Sequence, residues 1–237
     1  MIDLQNITYV NIDGRQSNNP WFYHHIPFGH LKWPILYAEY AKKYFNFGKF
    51  LIITPDAHKY QHDFIEFKYT VCFGYKGYSQ FVVNTLNEYI DTDYCLIYQP
   101  DGAIHNPHLW DNKFLEYDYV GAPWGRNAPV SKYCTGMCGI GNGGFSLRSK
   151  YFLETSSRIG FCKGAEDQFL MCKNLGFLLE NGIKIPNCEV ARNFSVEYPL
   201  DDNHTQEFSF GFHKPRWSDD SFVNLYRDKV LKELNLC

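Results

Sequence analysis

The 237-residue chain is long enough for a sizeable domain, and its 45% hydrophobic and 21% charged residues exclude a disordered segment. Lysine and arginine number 23 against 26 aspartate and glutamate, so the net charge of −3 offers no basic excess for a run of phosphates and excludes nucleic acid as an expected partner. Aromatic residues reach 18%, which suits either a ring-rich core or a protein that stacks rings against sugars.

The first half of the chain alternates short apolar runs with segments of helical periodicity. Predicted strands cover residues 7–12, 49–55, 67–73 and 94–99, and predicted helices cover 31–45 and 78–90. This alternation predicts an α/β fold with a mixed, mostly parallel sheet flanked by helices. Asp13 and Asp101 each follow a predicted strand, and such sheets bind ligands at the carboxyl ends of their strands.

The second half of the chain has a different character, with Gly/Pro-rich segments and few regular elements. Glycine and proline cluster at 121–145, a helix is predicted at 165–181, loops at 186–217 and a terminal helix at 219–235. No Ser/Gly-rich linker or repeat interrupts the sequence. We therefore expect a single domain over 1–237, made of a nucleotide-binding half (1–101), an acceptor and catalytic half (102–217) and a C-terminal helix (218–237).

Membrane and redox signals are weak. No run approaches the ~18 apolar residues that span a bilayer, and the first 15 residues lack the basic start and apolar middle of a secretory signal. The eight cysteines are scattered without Cys-x-x-Cys spacing, and no zinc set surrounds the closest pair, Cys134 and Cys138. These features predict reduced thiols in a cytoplasmic protein.

Residues 139–144 match the G-x-G-x-x-G pattern of dinucleotide-binding proteins. That fingerprint requires a preceding strand and a following helix, whereas residues 145–149 have the character of a short strand, so dinucleotide binding is excluded. The glycines fit either a compact turn or a loop against whose backbone a ligand lies.

Acidic residues at two places suit catalysis or metal binding. Asp101 follows a buried strand, where sugar-nucleotide enzymes often carry Asp-x-Asp for Mn²⁺ or Mg²⁺, although Gln99 replaces the first acid and an Asp-Gly turn also explains Asp101. Glu166 and Asp167 open the predicted helix at 165–181. They either complement the helix dipole, or one of them is a general base that takes a proton from an attacking hydroxyl.

The segment 210–217 concentrates an imidazole, two cations and aromatic rings. His213 is a candidate metal ligand, and Lys214 or Arg216 is a candidate for neutralising a leaving diphosphate. The alternative is a solvated basic turn.

Four segments in fixed order resemble a family of glycosyltransferase-like domains of the GT-A superfold. They are YDYVGAPW (117–124), GNGGFSLRS (141–149), EDQF (166–169) and FGFHKP (210–215). The resemblance implies a GT-A-like domain that transfers a sugar from a nucleotide-diphosphate donor to a glycan or other hydroxyl acceptor, with a divalent cation, Mn²⁺ or Mg²⁺, as cofactor.

The resemblance also implies roles for individual residues. Asn11 and Asp13 lie near the nucleotide, Asp101 and His213 bind the metal ion, and Lys214 or Arg216 stabilises the departing phosphate. Gly143 and Gly144 border the transferred sugar, with Trp124 as a stacking wall. Asp167, or else Glu166, corresponds to the base of inverting enzymes.

Two other functions remain open at this point. Gln99 favours a catalytically silent module that binds a sugar or nucleotide on the same fold, whereas the Glu166–Asp167 and His213–Lys214 pairs favour an enzyme. A nucleotidyltransferase that makes sugar nucleotides is the second alternative. It normally shows a Gly-rich basic loop after the first strand, and only Asp13-Gly14-Arg15 is present here.

Overall fold

A computed structural model describes residues 1–15, 30–125, 139–214 and 221–236. Its strands are β1 (Ile2–Ile12), β2 (Phe45–Thr54), β3 (Ile65–Tyr69), β4 (Tyr94–Tyr98), β5 (Gly102–Ile104), β6 (Tyr119–Gly121), β7 (Ser146–Ser149), β8 (Ser195–Val196) and β9 (Gly211–His213). Its α-helices are α1 (Lys32–Tyr44), α2 (Tyr75–Asn84), α3 (Lys150–Ser157), α4 (Glu166–Gln168), α5 (Leu175–Glu180), α6 (Cys188–Phe194) and α7 (Ser221–Glu233).

The larger sheet has the strand order β3-β2-β1-β4-β7-β6. The first four strands in this order run parallel, whereas β7 pairs antiparallel with β4 and β6 pairs antiparallel with β7. The prediction of a mixed, mostly parallel sheet flanked by helices is therefore confirmed. The division of the chain into halves at residues 101 and 217 stays a prediction.

The two faces of this sheet bury different side chains. Successive residues of β1 point to opposite faces, so Tyr9 packs under α1 and α7 while Val10 packs under α2 and α3. The Tyr9 ring stacks on Tyr98 with 4.0 Å between centroids and on Phe47 with 5.1 Å. Much of the aromatic excess therefore belongs to the core, as the first of the two interpretations of the composition, a ring-rich core, predicts.

A smaller sheet has the order β5-β9-β8, and two of its strands, β8 and β9, lie in the segment 186–217 for which loops were predicted. Strands of two or three residues are too short to show an alternating pattern, so the sequence carried no signal for them. The antiparallel pairing of β5 with β9 sets His213 opposite Gly102. This pairing brings His213 beside the turn that holds Asp101.

The segment predicted as one helix over 165–181 is interrupted. α4 is followed by a π-helical turn at Phe169–Lys173, and α5 begins only at Leu175. At the break, the Asn174 side-chain amide donates to the Phe169 carbonyl oxygen at 2.7 Å, a local bond of the kind that competes with regular helix. α4 stays short, with Glu166 and Asp167 at its first two positions.

The cysteines differ in redox state. Cys172 and Cys188 are disulfide-bonded, whereas Cys72, Cys95 and Cys162 are free thiols. The prediction of reduced thiols is wrong for Cys172 and Cys188. Disulfides persist mainly in oxidising compartments, so the expectation of a cytoplasmic location loses this support and stays a prediction. Across the described ranges no helix combines the length and apolar character needed to cross a membrane.

Candidate active site

A cavity of about 550 Å³ lies at the carboxyl ends of β1 and β4. Its walls come from the residues after these strands, the start of α2, the glycine loop (residues 139–144), α4, β9 and α7. Six of the residues that were assigned a site role from the sequence line it: Asp13, Asp101, Gly144, Glu166, Asp167 and His213. Side chains from both ends of the chain therefore share one space.

Asp101 is held at the tip of a tight turn after β4. The backbones of Gln99 and Gly102 exchange two hydrogen bonds, of 2.9 and 3.0 Å, and the Lys214 N–H donates to the Asp101 carbonyl oxygen at 2.7 Å. These bonds fix the carboxylate so that its Oδ1 lies 3.6 Å from His213 Nε2.

The imidazole of His213 has protein neighbours on both ring nitrogens. Nε2 lies 3.1 Å from Gln99 Oε1, while Nδ1 lies 3.0 Å from Asn142 Nδ2 and 3.6 Å from Glu197 Oε1. Burial by itself lowers the pKa of this imidazole, but the carboxylates of Asp101 and Glu197 outweigh burial and raise the pKa of His213. In the same way burial acts to raise the pKa of Asp101, and the hydrogen bond and charge of His213 lower it below its usual range.

Gln99 stands where the resemblance would place an acid. Its amide Nε2 donates to the Tyr78 hydroxyl at 2.8 Å, and its Oε1 faces His213 Nε2. An amide oxygen is a hard ligand like a carboxylate oxygen, so the turn still presents two oxygen donors beside the imidazole. Considering only His, Cys, Asp and Glu, the described residues contain no group of three arranged to hold a metal ion.

Glu166 is already neutralised by a buried partner. Its Oε1 accepts a hydrogen bond of 3.1 Å from Arg148 Nη2, and Arg148 is completely buried. Arg148 also donates from Nε to Ser146 Oγ at 3.0 Å, which holds the guanidinium in place. A carboxylate held in such a pair is a weak candidate for a base, because its lone pairs and charge are engaged.

Asp167 is half-buried and lines the cavity, and no basic side chain forms an ion pair with it within the described residues. Burial and the neighbouring Glu166 carboxylate raise the pKa of Asp167 to about 7. A carboxylate with this pKa is partly ionised at neutral pH and is a stronger base than an ordinary aspartate. Of the two acids, Asp167 has the environment of a general base.

The glycine loop is built for close approach. A Cβ on Gly143 would lie 1.9 Å from Glu166 Oε1, and a Cβ on Gly144 would lie 2.1 Å from His213 Nε2. The absent side chains therefore allow the carboxylate of Glu166 and the imidazole of His213 to pack on the loop backbone. Gly144 lines the cavity, whereas Gly143 lies behind it against Glu166 and Arg148.

Asn11 and Asp13 differ in position although they are two residues apart. Asn11 is fully buried, and its Nδ2 donates to the Tyr98 carbonyl oxygen at 2.9 Å, so it ties β1 to β4 instead of facing the cavity. Asn11 is not part of the cavity wall, and its place beside the nucleotide stays a prediction. Asp13 does line the cavity, and its Oδ1 accepts hydrogen bonds from the Arg15 backbone at 3.0 Å and from Arg15 Nε at 2.7 Å.

Three further candidate residues either do not line the cavity or lie outside the described residues. Trp124 is buried, and its ring packs so closely on Gly141 that a Cβ there would lie 2.4 Å from the indole. It packs against the glycine loop from the core and does not line the cavity, and its role as a stacking wall stays a prediction. Lys214 has an exposed side chain that is not part of the cavity wall, and Arg216 lies outside the described residues.

The sequence did not point to several residues at the site. Glu197 comes from a segment predicted as loop and contacts His213, while Arg227 and Trp33 line the cavity from α7 and α1. In the sequence, Arg227 is marked only by its position next to Tyr226 on a helix with an apolar face. That signal does not distinguish a cavity arginine from a surface one.

Fold and cavity together define a mixed α/β protein with a candidate active site at the carboxyl ends of its parallel strands. A family model described as "Protein of unknown function (DUF5672)" matches residues 61–213, which is more than half of the chain, and the protein belongs to this family. The matched segment includes Asp101, Glu166, Asp167 and His213, whereas Asp13 and Arg227 lie outside it.

Comparison with other proteins adds little on activity. No curated protein matches the sequence. Among solved structures, the inositol-1-phosphate CTP transferase from T. maritima is similar to this chain with a TM-score of 0.48 and 7% sequence identity. The alignment covers 94% of this chain and 96% of that chain. A likeness of this degree carries no information on substrate or reaction.

Proposed function

We propose that the protein is a GT-A-like glycosyltransferase that moves a sugar from a nucleotide-diphosphate donor to a glycan or other hydroxyl acceptor, with inversion at the anomeric carbon. One observation carries the proposal. Asp167, whose pKa is raised to about 7, lines the same cavity as the adjoining side chains of Asp101 and His213. The cavity thus combines a base for the acceptor with groups suited to a metal-bound diphosphate.

We infer that Asp101 and His213, the latter in its neutral form, would hold a divalent cation as two neighbouring ligands. Ligand atoms at ~2.1 Å from one ion lie roughly 3 Å apart when they are adjacent in its coordination shell. The distance of 3.6 Å between Asp101 Oδ1 and His213 Nε2 is close to this value. Glu197 lies beside Nδ1 of His213, and a carboxylate in this position orients a histidine that ligates a metal ion through its other ring nitrogen. When bound, Mn²⁺ or Mg²⁺ would neutralise charge on the diphosphate.

The transfer itself requires one proton acceptor and one leaving group. The acceptor oxygen attacks the anomeric carbon from the face opposite the nucleotide, and its proton passes to the Asp167 carboxylate. The bond between that carbon and the phosphate oxygen breaks, and the electron pair leaves on the nucleoside diphosphate. A base positioned in this way contributes roughly 10²- to 10⁴-fold in rate.

The test uses nucleotide binding and donor hydrolysis, because slow hydrolysis needs no acceptor. We expect UDP or GDP with Mn²⁺ to raise the melting temperature, since a ligand at 100 times its Kd stabilises the folded state by about 2.7 kcal/mol. We also expect hydrolysis of at least one member of a panel of nucleotide sugars. Binding without hydrolysis or transfer supports the silent module that Gln99 favours, and the absence of both contradicts the proposal.

Replacing Gly144 by alanine is expected to impair the site with little effect elsewhere. The new Cβ would lie 2.1 Å from His213 Nε2, so the imidazole must move. Because a displacement of about 1 Å at a catalytic group can cost ~10²-fold, we expect a loss of that order in donor hydrolysis. The measurement is the hydrolysis rate, together with the melting-temperature shift caused by nucleotide and Mn²⁺.

Gly176→Ala is the matched control for this change. Gly176 lies in α5, and a Cβ there meets nothing within 4 Å, so the variant should keep wild-type activity and unchanged or slightly higher stability. Full hydrolysis activity in the Gly144→Ala variant would contradict a role for His213 in the position described.

A further inference from the structure

Arg227, on the C-terminal helix, is the cationic side chain of the cavity that has no carboxylate partner in the described part of the chain. Arg15 pairs with Asp13, and His213 lies between Asp101 and Glu197. The contacts of Arg227 are neutral. Its Nη2 donates to the Pro100 carbonyl oxygen at 3.2 Å, and its Nη1 lies 3.4 Å from Asn224 Oδ1.

The guanidinium of Arg227 is held in position before any ligand arrives. Its central carbon lies 4.7 Å from the centroid of the Trp33 ring, a cation–π contact. The next residue back, Tyr226, is buried and donates its hydroxyl to the Ile104 carbonyl oxygen, which anchors this turn of α7. An arginine fixed in this way loses little freedom when it binds a ligand.

One N–H group of the guanidinium lacks an acceptor within the described ranges. Arg227 Nε is buried and has no hydrogen-bond partner among the described residues. A buried N–H without an acceptor is costly, and a ligand oxygen within reach of Nε and an Nη would satisfy it. The paired N–H groups of arginine suit the bidentate recognition of phosphate.

The position of Arg227 relative to Asp101 indicates which ligand group it meets. Pro100, whose carbonyl oxygen Arg227 contacts, immediately precedes Asp101 in the turn after β4. The cavity wall also carries four carboxylic acids, Asp13, Asp101, Glu166 and Asp167. A polyanion that enters such a cavity needs a cation that is not already neutralised, and Arg227 meets this requirement.

We propose that Arg227 binds the diphosphate group of the nucleotide, so that the C-terminal helix completes the donor site. This inference rests on the proposed function for the identity of the ligand, a nucleoside diphosphate. The chemistry that Arg227 recognises is the diphosphate itself, which inorganic pyrophosphate shares. Lys214 and Arg216, the cations expected from the sequence for this role, are outside the cavity wall and outside the described residues, respectively.

The experiment compares the Arg227→Met variant with wild type in binding three probes: UDP or GDP, the matching nucleoside, and inorganic pyrophosphate, each with Mn²⁺. We expect the variant to bind the nucleoside diphosphate and pyrophosphate about 10- to 100-fold more weakly, the loss typical of one charge-assisted hydrogen-bonding group. Affinity for the nucleoside, which lacks phosphate, should not change. Isothermal titration measures all three affinities.

The control is Lys232→Met, which removes one positive charge from an exposed position of the same helix. It should bind all three probes like wild type, which separates a direct contact from a general change in charge. Arg227→Lys keeps the charge but not the paired N–H groups, and we expect it to recover only part of the affinity. Melting temperatures of all variants verify that they are folded.

The outcomes separate this inference from the proposed function. Equal binding of nucleoside diphosphate by wild type and Arg227→Met overturns the role of Arg227, even where the enzyme hydrolyses a nucleotide sugar. An equal loss for nucleoside and nucleoside diphosphate also overturns it. Pyrophosphate binding that depends on Arg227, without any hydrolysis of nucleotide sugars, supports the phosphate site and contradicts the glycosyltransferase. No binding of nucleotide or pyrophosphate by wild type overturns both.

Discussion

Replacing Asp167 by asparagine is expected to lower sugar transfer and donor hydrolysis by about 10²- to 10⁴-fold. The asparagine side chain has nearly the same shape but cannot accept the proton of the attacking hydroxyl. Nucleotide affinity should remain close to wild type, because the contacts assigned to the diphosphate come from Asp101, His213 and Arg227. The measurement is kcat and KM for hydrolysis of the donor, with nucleotide affinity measured separately. Near-normal turnover would remove Asp167 from the role of base.

The pH dependence gives a second readout of the same base. The rate should rise with pH and level off above about pH 7, because Asp167 accepts a proton only when ionised and its pKa is raised to about 7. Glu166→Gln removes the neighbouring negative charge while keeping an oxygen that faces Arg148. The pKa of Asp167 should therefore fall, and the rising part of the profile should move to lower pH. An unmoved profile would show that another group controls the rate.

The melting temperature shows whether the Asp167→Asn variant loses activity because its fold is damaged. Folding raises the pKa of Asp167 from about 3.9 in an unfolded chain, so the native state holds the proton more tightly. Ionisation of Asp167 therefore lowers the stability of the wild type as pH rises from about 4 to 7, and the variant lacks this loss. We expect the variant to melt at a higher temperature than wild type at pH 8, with the difference disappearing near pH 4. A lower melting temperature at pH 8 would indicate damage to the fold.

Replacing Arg148 by methionine is expected to destabilise the protein by about 3–5 kcal/mol. The substitution leaves the buried Glu166 carboxylate without its partner, and it also removes the donor to Ser146. For a chain of this length the melting temperature should fall by on the order of 10 °C. Thermal unfolding followed by circular dichroism measures the change.

Two companion variants test the cause of this loss. Arg158→Met removes an exposed arginine and should change the melting temperature by only a small amount. Replacing Arg148 by methionine and Glu166 by leucine together should recover much of the stability, because apolar residues can replace a buried ion pair at little cost. If Arg148→Met melts like wild type, the pair with Glu166 is not important for folding.

The layout of the main sheet was accessible from local patterns. The predicted strands 49–55 and 94–99 have continuous apolar centres at 50–53 and 95–98, as strands buried on both faces do, and the helices between them show their periodicity. Their alternation is enough to place Asp13 and Asp101 at the carboxyl ends of parallel strands. The acids at 166–167 and the histidine at 213 were likewise singled out by residue type and motif.

The roles of the candidate site residues depend on contacts between segments that are far apart in the sequence. Residue type alone did not separate Glu166 from Asp167, and only the resemblance placed Asp167 first. The buried Arg148 distinguishes them by pairing with Glu166. Asn11 and Trp124 were expected at the ligand, but the packing of β1 on β4 and of the indole on the glycine loop places both in the core. Local sequence patterns reflect backbone preference and burial. Which side chain forms an ion pair with a given charged residue depends instead on the tertiary structure.

Composition and periodicity thus determined that this chain forms a mostly parallel α/β sheet with acidic residues at one edge. Tertiary structure alone decided which acid keeps a raised pKa, that the small sheet brings His213 beside Asp101, and that Arg227 reaches the cavity from the C-terminal helix. The reason is physical. A pKa depends on burial and on charges within a few ångströms, and those neighbours come from segments far apart in the chain.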